Sequence, residues 1–191
     1  MTVGVASGSA NAAEVCGDRA GWWSLNGLEV VAIADGLGHG KDAAAAAAVA
    51  IDVAAAWSGG DLLALFQRMN AALRPTRGAA VGIAVVEWVT SQVTYAAVGN
   101  TRAALFGAHT TYLNGYAGIV GVGYRRLDTI TVPFSSGDVL AQWTDGLNEQ
   151  IELTSADRSA AKLDDTAALL LERFARGNDD RCVVVAHLIQ S

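Results

Sequence analysis

Basic side chains are scarce in this sequence: 13 Lys and Arg stand against 19 Asp and Glu, for a formal net charge of −6 and a pI near 4.9. Phosphate backbones are gripped by clustered cations, and here the cations are few and scattered, which speaks against a nucleic-acid partner. Cysteine is almost absent. Cys16 and Cys182 lack the CxxC spacing of a zinc or redox motif and read as small buried hydrophobes of a reducing compartment. No apolar run approaches the ~18 residues of a membrane span, since the stretch Ala43 to Ile51 stops at Asp52. No basic residue precedes Arg19, so a secretory signal is not expected either, and a soluble cytoplasmic protein is. The order and spacing of Ser, His and Asp match no nucleophilic triad, and neither a GxSxG elbow nor a Walker lysine occurs. The three histidines share no ligand spacing. His109 and His187 read as surface or structural residues, while His39 stays open because it falls inside a glycine motif.

What the chain does have is apolar mass. Hydrophobic residues make up 52% of 191 positions and the mean hydropathy is +0.30, enough for a large covered interior in one domain spanning residues 1–191. Val3 to Ala6 and Leu28 to Ala34 read as strands, the second apolar at nearly every position, as when both faces are covered. Lys41 to Trp57 is a helix on alanine propensity alone, with small side chains that let it lie close to a sheet. Asp61 can cap a second helix, in which Leu62, Leu65, Phe66, Met69 and Leu73 recur at helical spacing. Short β runs follow: Ala79 to Trp88, Gln92 to Val98, Ala103 to Phe106, Thr110 to Leu113, Asp128 to Val132 and Val139 to Trp143. The turns between them suggest antiparallel hairpins. A third helix is expected from Asp164 to Arg176, capped near Asp164 and Asp165 and ended by Gly177, and Cys182 to Ile189 is a last strand. This order indicates a layered α+β fold rather than repeating βαβ units.

The acids fall at the ends of these elements. Asp18 precedes a strand, Asp35 ends one, Asp145 follows the run VLAQWT, and Asp179 and Asp180 precede the last strand. Two of these places repeat one phrase, an apolar strand followed by Asp-Gly-Leu, in AIADGLGHG and AQWTDGLN. An Asp-Gly pair alone is a common turn. Several carboxylates gathered at the edge of an apolar core oppose one another's ionisation, and a cation removes that cost. With no His or Cys nearby, a hard ion such as Mg²⁺ or Mn²⁺ fits better than zinc or copper. The glycines of DGLGHG also invite comparison with the D-x-G-x-G ATP box of histidine-kinase relatives, but position 37 is leucine and the glycines fall out of phase.

Gly17-Asp18, Ala34-Asp35-Gly36-Leu37-Gly38-His39-Gly40, Gly99-Asn100-Thr101-Arg102, Thr144-Asp145-Gly146 and Asn178-Asp179-Asp180, in this order, resemble the metal-dependent protein phosphatases of the PPM (type 2C) family. The DGLGHG form is most similar to the SpoIIE branch, in particular its RsbX-like serine phosphatases. The resemblance implies a four-layer α-β-β-α sandwich of two antiparallel sheets flanked by helices, with two Mn²⁺ or Mg²⁺ ions at one edge. It further implies that Asp35 bridges the ions, that the Gly36 carbonyl binds one, that Asp145 and Asp179 complete the other, with the choice between Asp179 and its neighbour Asp180 left open, and that Asp18 acts largely through coordinated water. In-line attack on a phosphoserine or phosphothreonine by water activated between the metals would follow. The implied substrate is a phosphorylated regulatory protein, of STAS-domain, stressosome or anti-sigma-antagonist type. The family's threonine after the last acids is replaced by Cys182, and Arg19 beside Asp18 could meet the substrate phosphate but reads first as a solvated surface residue. The alternative is a module of the same fold that has lost catalysis and only docks a partner.

Overall fold

The computed structural model describes residues 1–11, 14–158 and 162–189. Strands β1 (Thr2–Gly8), β2 (Asp18–Leu25) and β3 (Leu28–Gly36) are followed by helices α1 (Gly40–Ala55) and α2 (Leu62–Leu73). Then come β4 (Ala79–Glu87), β5 (Gln92–Val98), β6 (Arg102–Phe106) and β7 (Thr110–Asn114), a small hairpin β8 (Gly118–Ile119) and β9 (Gly123–Tyr124), β10 (Ile130–Pro133) and β11 (Asp138–Trp143). A one-turn helix α3 (Ser155–Arg158), helix α4 (Leu163–Arg173) and β12 (Arg181–Leu188) complete the order.

Ten strands form two antiparallel five-stranded sheets, β1-β12-β11-β6-β7 and β10-β5-β4-β3-β2. Strand periodicity sorts their side chains into layers. On β3, Val30, Ala32 and Ala34 face α1 and α2, while Val31 and Ile33 face the opposite sheet. On β11, Leu140 joins that inter-sheet layer, whereas Val139, Ala141 and Trp143 pack against α4. The result is the expected α-β-β-α sandwich, with three apolar clusters between its four layers of secondary structure. No helix among the described residues is long and apolar enough to cross a membrane.

Alanine patterning places α1. Ala43, Ala46, Ala47, Ala50 and Ala54 are fully buried at spacings of three and four, a stripe thin enough to bring the helix backbone onto β2 and β3. Asp61 caps α2 as expected, its carboxylate accepting from the Leu63 N–H at 2.9 Å.

Helix α4 departs from the sequence reading at both ends. It begins at Leu163 after Lys162 with no side-chain cap, and the Asp164 carboxylate instead accepts from the Val5 N–H at 3.1 Å, which ties the helix to β1. It also ends three residues before Arg176. There the Phe174 carbonyl accepts from the Asn148 N–H at 2.9 Å and the Arg176 N–H donates to the Gly146 carbonyl at 2.8 Å, so pairing with the loop after β11 draws these residues out of helical geometry.

Candidate metal centre

Four of the five sequence-predicted acids meet where the two sheets share one end. Asp18 opens β2 and Asp35 closes β3, and the antiparallel register sets them directly opposite each other. Like charges in that relation are destabilising and are normally avoided. From the other sheet, Asp145 follows β11 and Asp179 precedes β12. Asp35, Asp145 and Asp179 line one cleft of about 240 Å³ with Leu37, Gly38, His39, Ala80, Asn100 and Ile119. Asp18 is buried behind it, bordering a second cavity with Cys16, Arg19 and Cys182.

The electrostatics follow from this placement. Burial, with Asp180, Asp145 and Asp179 nearby, pushes the Asp18 carboxyl up to about 7 against partial relief from the Thr144 hydroxyl. Burial and the adjacent Asp18, then Asp145 and Asp179, push Asp35 up to about 9. Asp145 is raised by burial and by Asp179, and is relieved by Asn100, whose side-chain amide donates to its carboxylate at 2.6 Å. One buried oxygen of Asp18 has no hydrogen-bond partner. A site that raises its own carboxyl pKa values and strands a carboxylate oxygen lacks positive charge, which a divalent cation would supply.

The donor set is all oxygen, which suits Mg²⁺ or Mn²⁺. Among the described residues no three His, Cys, Asp or Glu side chains are gathered closely enough to hold an ion by themselves. The cleft is open rather than a closed cage, in keeping with ions that retain several waters and take one or two carboxylates each.

The two neighbouring aspartates are divided by their surroundings. Asp180 is buried, and its two oxygens accept from the Gly17 and Ala10 N–H groups, each at 2.7 Å. This carboxylate fastens the segment leading into Asp18. Asp179 is exposed and borders the cleft.

The glycines of the DGLGHG segment answer to two separate structural demands. Gly38 and Gly40 adopt φ values of +93° and +72°, the left-handed turn that leads into α1. Gly36 has no such φ. A Cβ there would fall on the Ala43 carbonyl and Cα, so the close passage of α1 by itself requires a glycine. His39 is the residue before α1, exposed, with Nδ1 2.9 Å from the Glu14 carboxylate. Arg19 is exposed on β2, as expected. Asn100, which orients Asp145, was part of the motif set but had no role assigned; its place in a turn after Gly99 was the available signal.

The sequence profile of the family described as Stage II sporulation protein E (SpoIIE) matches residues 26–189. The chain belongs to the SpoIIE family, a branch of the PP2C-type serine/threonine phosphatases. Phosphoserine phosphatase RsbX of Bacillus subtilis (strain 168) is 29% identical over 136 residues, covering 70% of this chain and 68% of its own length. A chain solved in work on the bacterial stressosome as a modular system adapted to control secondary messenger signaling superposes with a TM-score of 0.90 and 28% identity, covering 97% of this chain and 98% of that one. The crystal structure of RsbX in complex with magnesium superposes at 0.78 with 23% identity over 95% and 92% of the two chains, which establishes the shared fold. The PP2C family is metal-dependent, and the acid-lined cleft of this member fits that requirement.

Proposed function

We propose that this SpoIIE-family member is a metal-dependent phosphatase of phosphoserine and phosphothreonine in a cytoplasmic regulatory protein of STAS-domain or stressosome type. The observation that carries the reading is the opposed Asp18–Asp35 pair facing Asp145 and Asp179 across the sheet junction, an arrangement that is costly unless a cation is bound. Asp35, Asp145, Asp179 and the Gly36 carbonyl would hold two Mn²⁺ or Mg²⁺ ions, with Asp18 behind them. Bound there, the ions would supply a water of lowered pKa and neutralise the phosphoryl charge. The chain's own residues do the rest. Asn100 fixes the rotamer of Asp145, Asp180 anchors the approach to Asp18, and among the described residues the cleft lining contains no Ser or Cys that would form a covalent intermediate. The exposed Leu37 and the neighbouring Ile119 give the cleft an apolar wall suited to a protein substrate. The stressosome setting of one relative, and RsbX as another, support the regulatory-protein class.

The decisive assay is hydrolysis of p-nitrophenyl phosphate and of a phosphoserine-bearing STAS-domain protein, with Mn²⁺ and with chelator. Turnover that requires Mn²⁺ is expected; absence of turnover on both substrates would favour the docking-module alternative.

The choice between the adjacent aspartates gives a second expected result. Asp179→Ala should abolish Mn²⁺-dependent turnover with little change in thermal stability. Asp180→Ala should instead destabilise the fold by about 2–3 kcal/mol, because the buried Gly17 N–H and the half-buried Ala10 N–H lose their acceptor. Thermal melts and turnover of the two variants, measured side by side, check this, and equal destabilisation by both would reverse the assignment.

A further inference from the structure

Between the sheets, one layer below the carboxylates, lies a group of polar atoms that the apolar surroundings do not explain. Tyr95 on β5, Thr101 just before β6 and Gln142 on β11 are each 2% exposed or less. The Tyr95 hydroxyl, the Thr101 hydroxyl and the Gln142 side-chain carbonyl make no well-formed hydrogen bond, although the two hydroxyls lie close enough to interact. Each costs about 1–3 kcal/mol if left so.

The three oxygens converge on one place. The point where a side chain of Gly82 would begin lies 2.8 Å from the Tyr95 oxygen, 3.1 Å from that of Thr101 and 3.2 Å from that of Gln142. Glycine at position 82, in the middle of a buried strand where it is unfavourable, puts no side chain among these oxygens, which a Cβ would crowd. The donor balance fits a single water molecule. Gln142 can only accept through this oxygen, its amide N–H being given to the Val31 carbonyl at 3.0 Å. Each hydroxyl can donate or accept, and the phenol stays protonated because burial drives its pKa far above the ordinary range. A water with two donors and two acceptors satisfies all three groups, and three polar partners are the usual number for a buried water.

These partners are also the joints of the acidic end. Gln142 lies three residues before Asp145, Thr101 follows the Asn100 that holds Asp145, and Val31 lies four residues before Asp35 on the other sheet.

We propose that Tyr95, Thr101 and Gln142 bind one internal water over Gly82, and that this water with the Gln142–Val31 hydrogen bond sets the spacing of Asp145 against Asp35, making Gln142 a positioning residue for the metal centre. The second half rests on the metal reading above; the first does not.

The test has two arms. A crystal structure refined to high resolution should show one water within hydrogen-bond distance of the three oxygens. Gln142→Met and Tyr95→Phe, which nearly conserve volume, should weaken Mn²⁺ binding by calorimetry, the first by about tenfold as for other outer-sphere supports. Val93→Ala, in the same inter-sheet layer, serves as the control that lowers the melting temperature without weakening Mn²⁺ binding. Direct hydrogen bonds among the three side chains with no water between them would overturn the water site. Variants that lower the melting temperature with unchanged Mn²⁺ affinity would overturn the positioning role. Failure of the wild-type protein to bind Mn²⁺ would overturn the metal reading and the positioning role with it, and leave the water to the diffraction result.

Discussion

Asp35→Asn should lose metal-dependent phosphatase activity by about 10³-fold, the kinetic equivalent of the several kcal/mol that charge neutralisation by a metal contributes, while making the metal-free protein more stable at pH 8 than wild type. The two halves have one cause. Asp35 faces Asp18 across a strand pair, with Asp145 and Asp179 close by, and burial keeps water from dispersing the charge. Removing one carboxylate relieves the repulsion and also removes one of the groups that would hold the ions. The sign with pH is definite. In the unfolded chain these carboxyls ionise near the ordinary aspartate value of 3.8, whereas in the fold Asp18 and Asp35 hold protons up to about 7 and about 9. Above pH ~4 the folded state therefore binds more protons than the unfolded one, and stability falls as pH rises through both folded values. In chelator the wild-type melting temperature should decline from pH 5 to pH 9, the decline should be shallower in Asp35→Asn, and millimolar Mn²⁺ should oppose it in wild type alone, because the metal takes the place of the protons. Each kcal/mol relieved corresponds to about 2–4 °C for a chain of this size. Wild-type turnover by Asp35→Asn, or a melting temperature indifferent to pH in chelator, would remove the basis for the site.

How much of this was legible in the sequence depends on which signal carried it. The layers were, because β3 and β4 are apolar at almost every residue and α1 and α2 are periodic, and period alone separates strands covered on both faces from helices packed on one. The acids were as well, since Asp18, Asp35, Asp145 and Asp179 all stand at strand ends that the antiparallel topology gathers. What the sequence could not resolve was the division of labour between neighbours of the same chemistry. Asp179 and Asp180 are interchangeable as letters; only the Gly17 and Ala10 N–H groups, more than 160 positions away, distinguish them. The end of α4 was misplaced for a similar reason, because the loop that draws Phe174 out of the helix follows a different strand. Gln142 left a fainter trace. It is the one polar residue in the run VLAQW and falls at the parity of the inter-sheet layer, but a lone polar residue in a strand does not say what faces it.

Gly36→Ala should be among the most damaging single-methyl changes in the chain, although glycine to alanine in a strand is ordinarily mild or stabilising. Gly36 has an ordinary strand φ, so no backbone strain is involved. The obstacle is the helix. The added carbon would fall on the carbonyl and Cα of Ala43, main-chain atoms of the first turns of α1, which have no rotamer to change. The helix would have to retreat, and the buried stripe Ala43, Ala46, Ala47, Ala50 and Ala54, chosen for close approach, would leave a gap against β3 that no side chain fills. Overpacking against backbone costs about 3 kcal/mol or more, a fall in melting temperature of roughly 6–12 °C. Gly123→Ala, where an added carbon meets nothing within 4 Å and φ is unrestricted, should stay within about 0.5 kcal/mol of wild type and controls for the methyl itself. Because the substitution keeps the Gly36 carbonyl, the pair of measurements also separates the two reasons for a glycine here. A large loss of melting temperature assigns the residue to helix packing. An unchanged melting temperature with lost Mn²⁺ affinity would return it to the ion.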